Sequence, residues 1–168
     1  MKVNLSNLIN GSDYQIELDD TFEINEIKTE GNHIKFNKPV EVNGGIFNTD
    51  DGIYLQAKVS FEYTTSCARC LKNITKNEDA MLDYKIVYEN DQENSSEDEL
   101  ILEKGNILNL NEPIISSILL SLPMKTICDN ECKGICPQCG KDLNKGDCNC
   151  EDDNIDPRLA KLKRLMDK

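Results

Sequence analysis

The sequence predicts an α+β protein. It has an antiparallel, β-rich body of barrel-like or sandwich-like form, one apolar helix, and a C-terminal zinc-knuckle segment followed by a terminal helix. Three observations predict it. Residues 53–63 alternate apolar and polar, a helical apolar stripe begins near Asn111, and six of the eight cysteines crowd residues 128–150. Alternation with a period of two needs one face in a core and the other in water.

The strongest strand is Ile53 to Tyr63, where Ile53, Leu55, Ala57, Val59, Phe61 and Tyr63 interleave with polar or amphipathic neighbours. Weaker alternation marks Tyr14 to Leu18, His33 to Phe36 and Leu82 to Tyr88. Asn43-Gly44-Gly45 and Asp50-Asp51-Gly52 read as turns. No amphipathic segment of helix length separates these runs, so antiparallel hairpins are expected rather than parallel crossovers. Residues 89–99 hold only Asp, Glu, Asn, Gln and Ser, which predicts an exposed acidic loop. The apolar helix is expected from a cap at Asn111, with Pro113 in its first turn, to Pro123 at its end. Its stripe is Ile114, Ile115, Ile118, Leu119 and Leu122. A second helix is expected from Asp156-Pro157 onward, with Leu159, Leu162, Leu165 and Met166 on one face and Arg158, Lys161, Lys163 and Arg164 around the rest. Residues 156–168 hold five basic and two acidic residues, a local +3 that makes those four cations candidates for RNA or partner binding. The expected division is a β-rich body over 1–127 and a cysteine-rich segment with the basic helix over 128–168.

A chain of 168 residues can build a core without crosslinks, so eight cysteines need another explanation. The N-terminal run MKVNLSNLIN has neither the apolar core nor the small-residue cleavage site of a signal peptide. The most apolar segment, Ile114 to Leu122, is interrupted by serines and falls far short of the roughly 20 residues a membrane span needs. A cytoplasmic protein follows, and in a reducing compartment a cysteine framework binds metal more often than it forms disulfides. The formal net charge is −12. A zinc held by four thiolates adds a net −2, so two such sites would bring the protein to about −16. That field repels phosphate at long range and suits a basic protein partner, leaving RNA contact to a local basic patch.

The cysteines fall as Cys67-x2-Cys70, then 57 residues, then Cys128-x3-Cys132-x3-Cys136-x2-Cys139-x8-Cys148-x-Cys150. Zinc takes four soft or borderline ligands in a tetrahedron, and two cysteines a few residues apart can sit on one tight turn. Cys136-Pro-Gln-Cys139-Gly140 is a knuckle: proline pre-sets the turn, and glycine permits the positive φ that aims backbone N–H groups at sulfur. Cys148 and Cys150 can complete that site, and Cys67, Cys70, Cys128 and Cys132 a second. The competing partition places Cys128, Cys132, Cys136 and Cys139 on one ion. Sites closed by four thiolates leave no open position, so both are expected to be structural.

Catalytic chemistry is otherwise thin. His33 is the only histidine and reads as a surface residue, and no second one exists to build a Cys–His nucleophile pair. No phosphate loop is present, so no enzyme and no small-molecule substrate are expected.

Several strings together resemble the YceD family, the large ribosomal RNA subunit accumulation proteins of bacteria and plastids. They are Cys67-Ala-Arg-Cys70-Leu71, Leu120-Ser-Leu-Pro123, Cys132-Lys-Gly-Ile-Cys136-Pro-Gln-Cys139-Gly-Lys-Asp-Leu-Asn144, Cys148-Asn-Cys150 and Asp156-Pro-Arg-Leu-Ala-Lys-Leu. The resemblance implies a non-enzymatic factor needed for accumulation of 23S ribosomal RNA and hence of the large subunit, acting on that RNA or on a ribosomal protein. It also implies that some relatives keep the first cysteine pair and a pair matching Cys128 and Cys132, with His at one place, while lacking the last four, which favours two independent sites. It supplies no catalytic residues. Two other classes stand beside it: a zinc-dependent redox switch, in which neighbouring thiols close to disulfides as metal leaves, and a passive interaction scaffold.

Overall fold

The computed structural model describes residues 1–29, 32–88 and 99–150. Its spine is the predicted alternating strand. In chain order the elements are β1 (Lys2–Asn4), α1 (Ser6–Ile9), β2 (Gln15–Phe22), β3 (Glu26–Thr29), β4 (Asn32–Phe36), β5 (Val40–Thr49), β6 (Gly52–Ser66), β7 (Asn73–Tyr88), β8 (Glu99–Leu102), β9 (Ile107–Asn109) and α2 (Asn111–Ser121). Along β6 the side chains of Ile53, Leu55, Ala57, Val59, Phe61 and Tyr63 are buried, as a period of two requires. One edge of β6 pairs with β5 over its first half and with β4 near its end, while the other edge pairs with β7 from Ile53↔Ile86 to Ser66↔Asn73. With β2 outside β5 and β3 outside β4, this makes a curled antiparallel half-barrel. The exception to the expected antiparallel pairing is β8, which runs parallel to β7.

Asp50-Asp51-Gly52 forms the β5–β6 hairpin turn as expected, with Gly52 at φ 132° and the Thr49 hydroxyl donating to the Gly52 carbonyl at 2.8 Å. Asn43-Gly44-Gly45 is not a turn. It lies inside β5, with Gly44 opposite Ala57. A Cβ on Gly44 would stand 2.3 Å from the Gln56 carbonyl oxygen and 2.4 Å from the Ala57 Cα. The glycine therefore serves close approach of two strands, a use of strand glycine that sequence alone cannot separate from a turn.

The concave face closes on α1, α2 and the small β1–β9 ribbon, gathering Leu5, Leu8, Leu108, Leu110, Ile114 and Ile118 with the inward residues of the sheet. Helix α2 packs on β7. Its expected stripe is only partly right: Ile114 and Ile118 are fully buried, Ile115 is half-buried, and Leu119 is exposed. Ser117 is buried in place of Leu119, its hydroxyl satisfied by the Ile114 carbonyl at 2.9 Å. The cap also differs. Leu110 precedes the helix, Asn111 is its first residue, and Asn109 Oδ1 accepts the Asn111 N–H at 3.2 Å. The expected acidic loop, apart from Glu99 in β8, and the expected terminal helix lie outside the described residues. Among the described residues, no helix is long and apolar enough to cross a membrane.

A Gly44→Ala substitution should lower unfolding free energy by about 1–3 kcal/mol, the range for forcing an extra methyl into a packed site. Gly105→Ala tests the alternative, since Gly105 has φ 84° with nothing within 4 Å of its added Cβ. It should cost only the backbone strain, about 1 kcal/mol, in the same denaturant titration.

Candidate metal centres

The first knuckle is made by the turn that links β6 to β7. Cys67 follows the last residue of β6, and its N–H donates to the Lys72 carbonyl at 2.8 Å while Leu71 N–H donates to the Cys67 carbonyl at 3.0 Å. The second knuckle repeats the pattern: Cys136 N–H to the Lys141 carbonyl at 2.9 Å and Gly140 N–H to the Cys136 carbonyl at 2.9 Å. Gly140 has the expected positive φ, 73°, and Leu71 occupies the equivalent place at φ 60°. A leucine thus adopts the left-handed conformation that glycine takes in the other knuckle, at a cost of roughly 1–2 kcal/mol. Cys70 is followed by Leu71 where Cys139 is followed by Gly140, but the turn itself is the same.

These turns gather the eight thiols into two groups, Cys67/Cys70/Cys128/Cys132 and Cys136/Cys139/Cys148/Cys150, each with its sulfurs within 4.8 Å of one another. The competing arrangement of Cys128, Cys132, Cys136 and Cys139 is not brought together. In the first group Cys67 and Cys132 sulfurs stand 3.9 Å apart and Cys70 and Cys128 sulfurs 3.6 Å. Sulfurs about 2.3 Å from a tetrahedral zinc would be separated by about 3.8 Å, so the cluster has the dimensions such an ion requires. None of the eight cysteines is in a disulfide.

The first cluster is held by more than its ligands. Arg69 Nη1 donates to the Cys132 carbonyl at 2.9 Å and the Asn130 carbonyl at 3.3 Å, and the Arg69 carbonyl accepts the Ile135 N–H at 3.2 Å. Ala68 N–H donates to the Thr126 carbonyl at 2.8 Å. Gly134, at φ 79°, lies so close that a Cβ would stand 3.1 Å from the Arg69 carbonyl oxygen. The knuckle between β6 and β7 is thereby clasped to the segment after α2. Burial opposes ionisation of Cys67, yet N–H groups from Cys70, Arg69 and Cys128 outweigh it and bring the thiol to about 6. Neighbouring sulfurs of Cys132 and Cys70 push Cys128 up to about 12. In the second cluster the Cys139 and Gln138 N–H groups lower Cys136 to about 6, and Cys139 raises Cys150 to about 12. Each cluster therefore offers one thiolate near neutrality, and a cation in its midst would favour ionisation of the thiol held highest, Cys128 in the first and Cys150 in the second.

The clusters also touch. Leu143 N–H donates to the Gly134 carbonyl at 2.9 Å, Ile135 bridges Asp142, and Asn144 Oδ1 accepts the Lys133 N–H at 2.8 Å. Asn144 Nδ2 points at the Cys132 sulfur, 3.5 Å away. Neither Arg69 nor Asn144 stood out in the sequence, because a hydrogen bond to another segment leaves no periodic trace. Gly134, between two cysteines, carried the one available signal of a positive φ.

Residues 55–166 match the family described as large ribosomal RNA subunit accumulation protein YceD. The chain belongs to the YceD family. An uncharacterised protein of Mycobacterium tuberculosis is 30% identical over 121 residues, covering 71% of this chain and 58% of its own. The chain thus spans about three-fifths of the length of that curated relative. The uncharacterised protein YlbN of Bacillus subtilis is 27% identical over 151 residues, 89% of this chain and 87% of its own. A chloroplastic YCED homolog of Arabidopsis thaliana, named as a large ribosomal RNA subunit accumulation protein, is 31% identical over 61 residues, 36% of this chain and 19% of its own. No solved structure matches the chain. Of the residues expected to bind RNA or a partner, Arg158, Lys161, Lys163 and Arg164 lie outside the described residues; His33 is exposed and hydrogen-bonded to Glu26 at 2.7 Å.

Leu71→Gly should leave metal content unchanged and raise the midpoint of thermal unfolding, the relief of about 1–2 kcal/mol of strain exceeding the roughly 0.5–1 kcal/mol entropic cost of glycine, whereas Gly140→Leu should lower it. Metal binding should release protons at neutral pH, because Cys128 and Cys150 hold theirs up to about 12. Below about 6, where Cys67 and Cys136 also take protons, affinity should fall more steeply with acidity, as a chelator competition run across pH would read.

Proposed function

We propose that this protein is a cytoplasmic, non-enzymatic factor in large-subunit ribosome biogenesis, needed for accumulation of 23S ribosomal RNA. In this reading both cysteine clusters hold structural zinc. Membership of the YceD family over residues 55–166 carries the role, and the name of the chloroplastic homolog supports it. The two all-thiol clusters support zinc: sulfur ligands suit a soft or borderline ion, and four ligands close the tetrahedron so that the metal shapes the chain without reaching a substrate. Zinc bound there would supply a crosslink between the β6–β7 turn and the segment after α2, and the chain's own residues present the binding surface.

The partner that fits best is a basic ribosomal protein of the large subunit. The outer face of the sheet exposes Glu17, Asp19, Glu41 and Asp83, while Lys58 in its centre is already paired with Asp79 at 2.9 Å. That local excess is part of the net −12 of the chain. An acidic surface speeds capture of a cationic partner and loses hold of it as salt rises. A second reading has one observation in its favour: Cys139 is exposed, unlike the buried Cys67 and Cys132, so oxidation that expels metal would begin at the second cluster.

Depletion of the protein should lower 23S RNA and large-subunit precursors, and unchanged levels of both would refute the proposed role. In crosslinking followed by identification of bound RNA and protein, a basic large-subunit protein should dominate, and joint substitution of Glu17, Asp19 and Glu41 by lysine should reduce its capture. Metal retained after stoichiometric peroxide would remove the redox reading; release from the Cys139 cluster first would favour it.

A further inference from the structure

The loop of the second cysteine cluster hydrogen-bonds to the first. Asn144 sits in the eight-residue loop between Cys139 and Cys148, so both ends of its loop are candidate ligands of the second cluster. Its side chain nevertheless serves the first. Oδ1 accepts the Lys133 N–H at 2.8 Å, and Nδ2 donates toward the Cys132 sulfur at 3.5 Å and to Asp142 Oδ1 at 2.8 Å. The orientation of this amide is fixed by chemistry, since the Lys133 N–H can only donate and must meet the oxygen. The loop is braced further by Leu143 N–H on the Gly134 carbonyl, by Lys145 N–H on the Asp142 carbonyl at 3.2 Å, and by Lys141 Nζ on the Asp147 carbonyl at 2.6 Å. The segment that receives it is short: residues 133–135 alone separate Cys132 from Cys136.

We propose that Asn144 is a positioning residue for the Cys67/Cys70/Cys128/Cys132 site, delivered by metal binding at the Cys136/Cys139/Cys148/Cys150 site, and that the two sites therefore bind zinc cooperatively. This rests on the zinc reading above. An N–H aimed at a ligand sulfur stabilises its thiolate and holds its direction, and loss of such an outer-shell partner costs about 10- to 100-fold in metal affinity. An ion on the second cluster fixes both ends of the loop and so lowers the cost of holding Asn144 in place. The linkage is reciprocal, so a metal at the first site strengthens the second by the same factor. The sites are then not the independent pair that the family resemblance favours.

The test uses the full chain, cobalt as a spectroscopic probe, and competition of zinc against a chelator. The constant belonging to the first site is the one that survives Cys148→Ser with Cys150→Ser. Removing the second site in this way should weaken the first about tenfold, and Asn144→Ala with all eight cysteines intact should weaken it by a similar factor. Adding Asn144→Ala to the double cysteine variant should add little, because the two changes remove the same contact. Asn144→Asp keeps the acceptor for Lys133 but turns a carboxylate toward sulfur, and should weaken the first site at least as much as alanine while leaving the chain folded by circular dichroism. An affinity of the first site that is indifferent to Asn144, or effects of the loop and cysteine changes that simply add, would overturn the coupling while leaving zinc binding intact. A chain that develops no thiolate-to-cobalt absorption would overturn the zinc reading and the coupling together.

Discussion

The Cys67/Cys70/Cys128/Cys132 cluster is the contact on which the rest of the architecture depends. Its ligands come from both sides of a 57-residue stretch that includes β7, β8, β9 and α2. The β6–β7 pairing and the packing of α2 on β7 return the chain to the neighbourhood of the β6–β7 turn, and the cluster fixes the last few residues there. Four sulfurs at zinc-like spacing can supply that hold, since structural zinc contributes on the order of 10 kcal/mol or more. Protein contacts prepare the meeting. Arg69 clasps the 130–132 backbone, Gly134 lets the chains approach, and N–H groups hold Cys67 as a thiolate.

The repeated knuckle shows how one local solution is met by different residues. Gly140 reaches the left-handed conformation without steric cost, whereas Leu71 reaches it under strain and leaves its side chain 63% exposed. Strained backbone persists only where the surroundings over-determine it, and here two hydrogen bonds across the turn do so, with two candidate metal ligands within it. The second cluster is more open, with Cys139 and most of its loop in solvent. Its place in the fold comes from the strip of contacts between residues 133–136 and 141–144 rather than from a core of its own.

Legibility in the sequence followed the range of the interaction. The β6 strand, the Asp50-Asp51-Gly52 turn, the apolar helix and the Cys136 knuckle were legible because each is written in neighbouring residues. Asn43-Gly44-Gly45 misled, because glycine marks both turns and strands pressed together. The short elements β1, α1, β3, β8 and β9 were not legible, being three or four residues long and stabilised by packing rather than by pattern. Ser117 likewise enters the core through a back-bond to its own helix, which a polarity count treats as an interruption.

By itself the sequence determined the chemistry: eight soft ligands, one histidine, a strongly acidic surface, and an alternating strand around which a sheet must form. Spacing allowed more than one partition of the thiols, because a zinc ion accepts any four sulfurs that can reach it. Only the tertiary structure decided among them. The β6–β7 turn brings Cys67 and Cys70 to Cys128 and Cys132, and the Gly134–Leu143 contact folds the last four cysteines into a neighbouring group. That choice rests on which backbone segments can hydrogen-bond across space, a property of the assembled fold that no run of adjacent residues encodes.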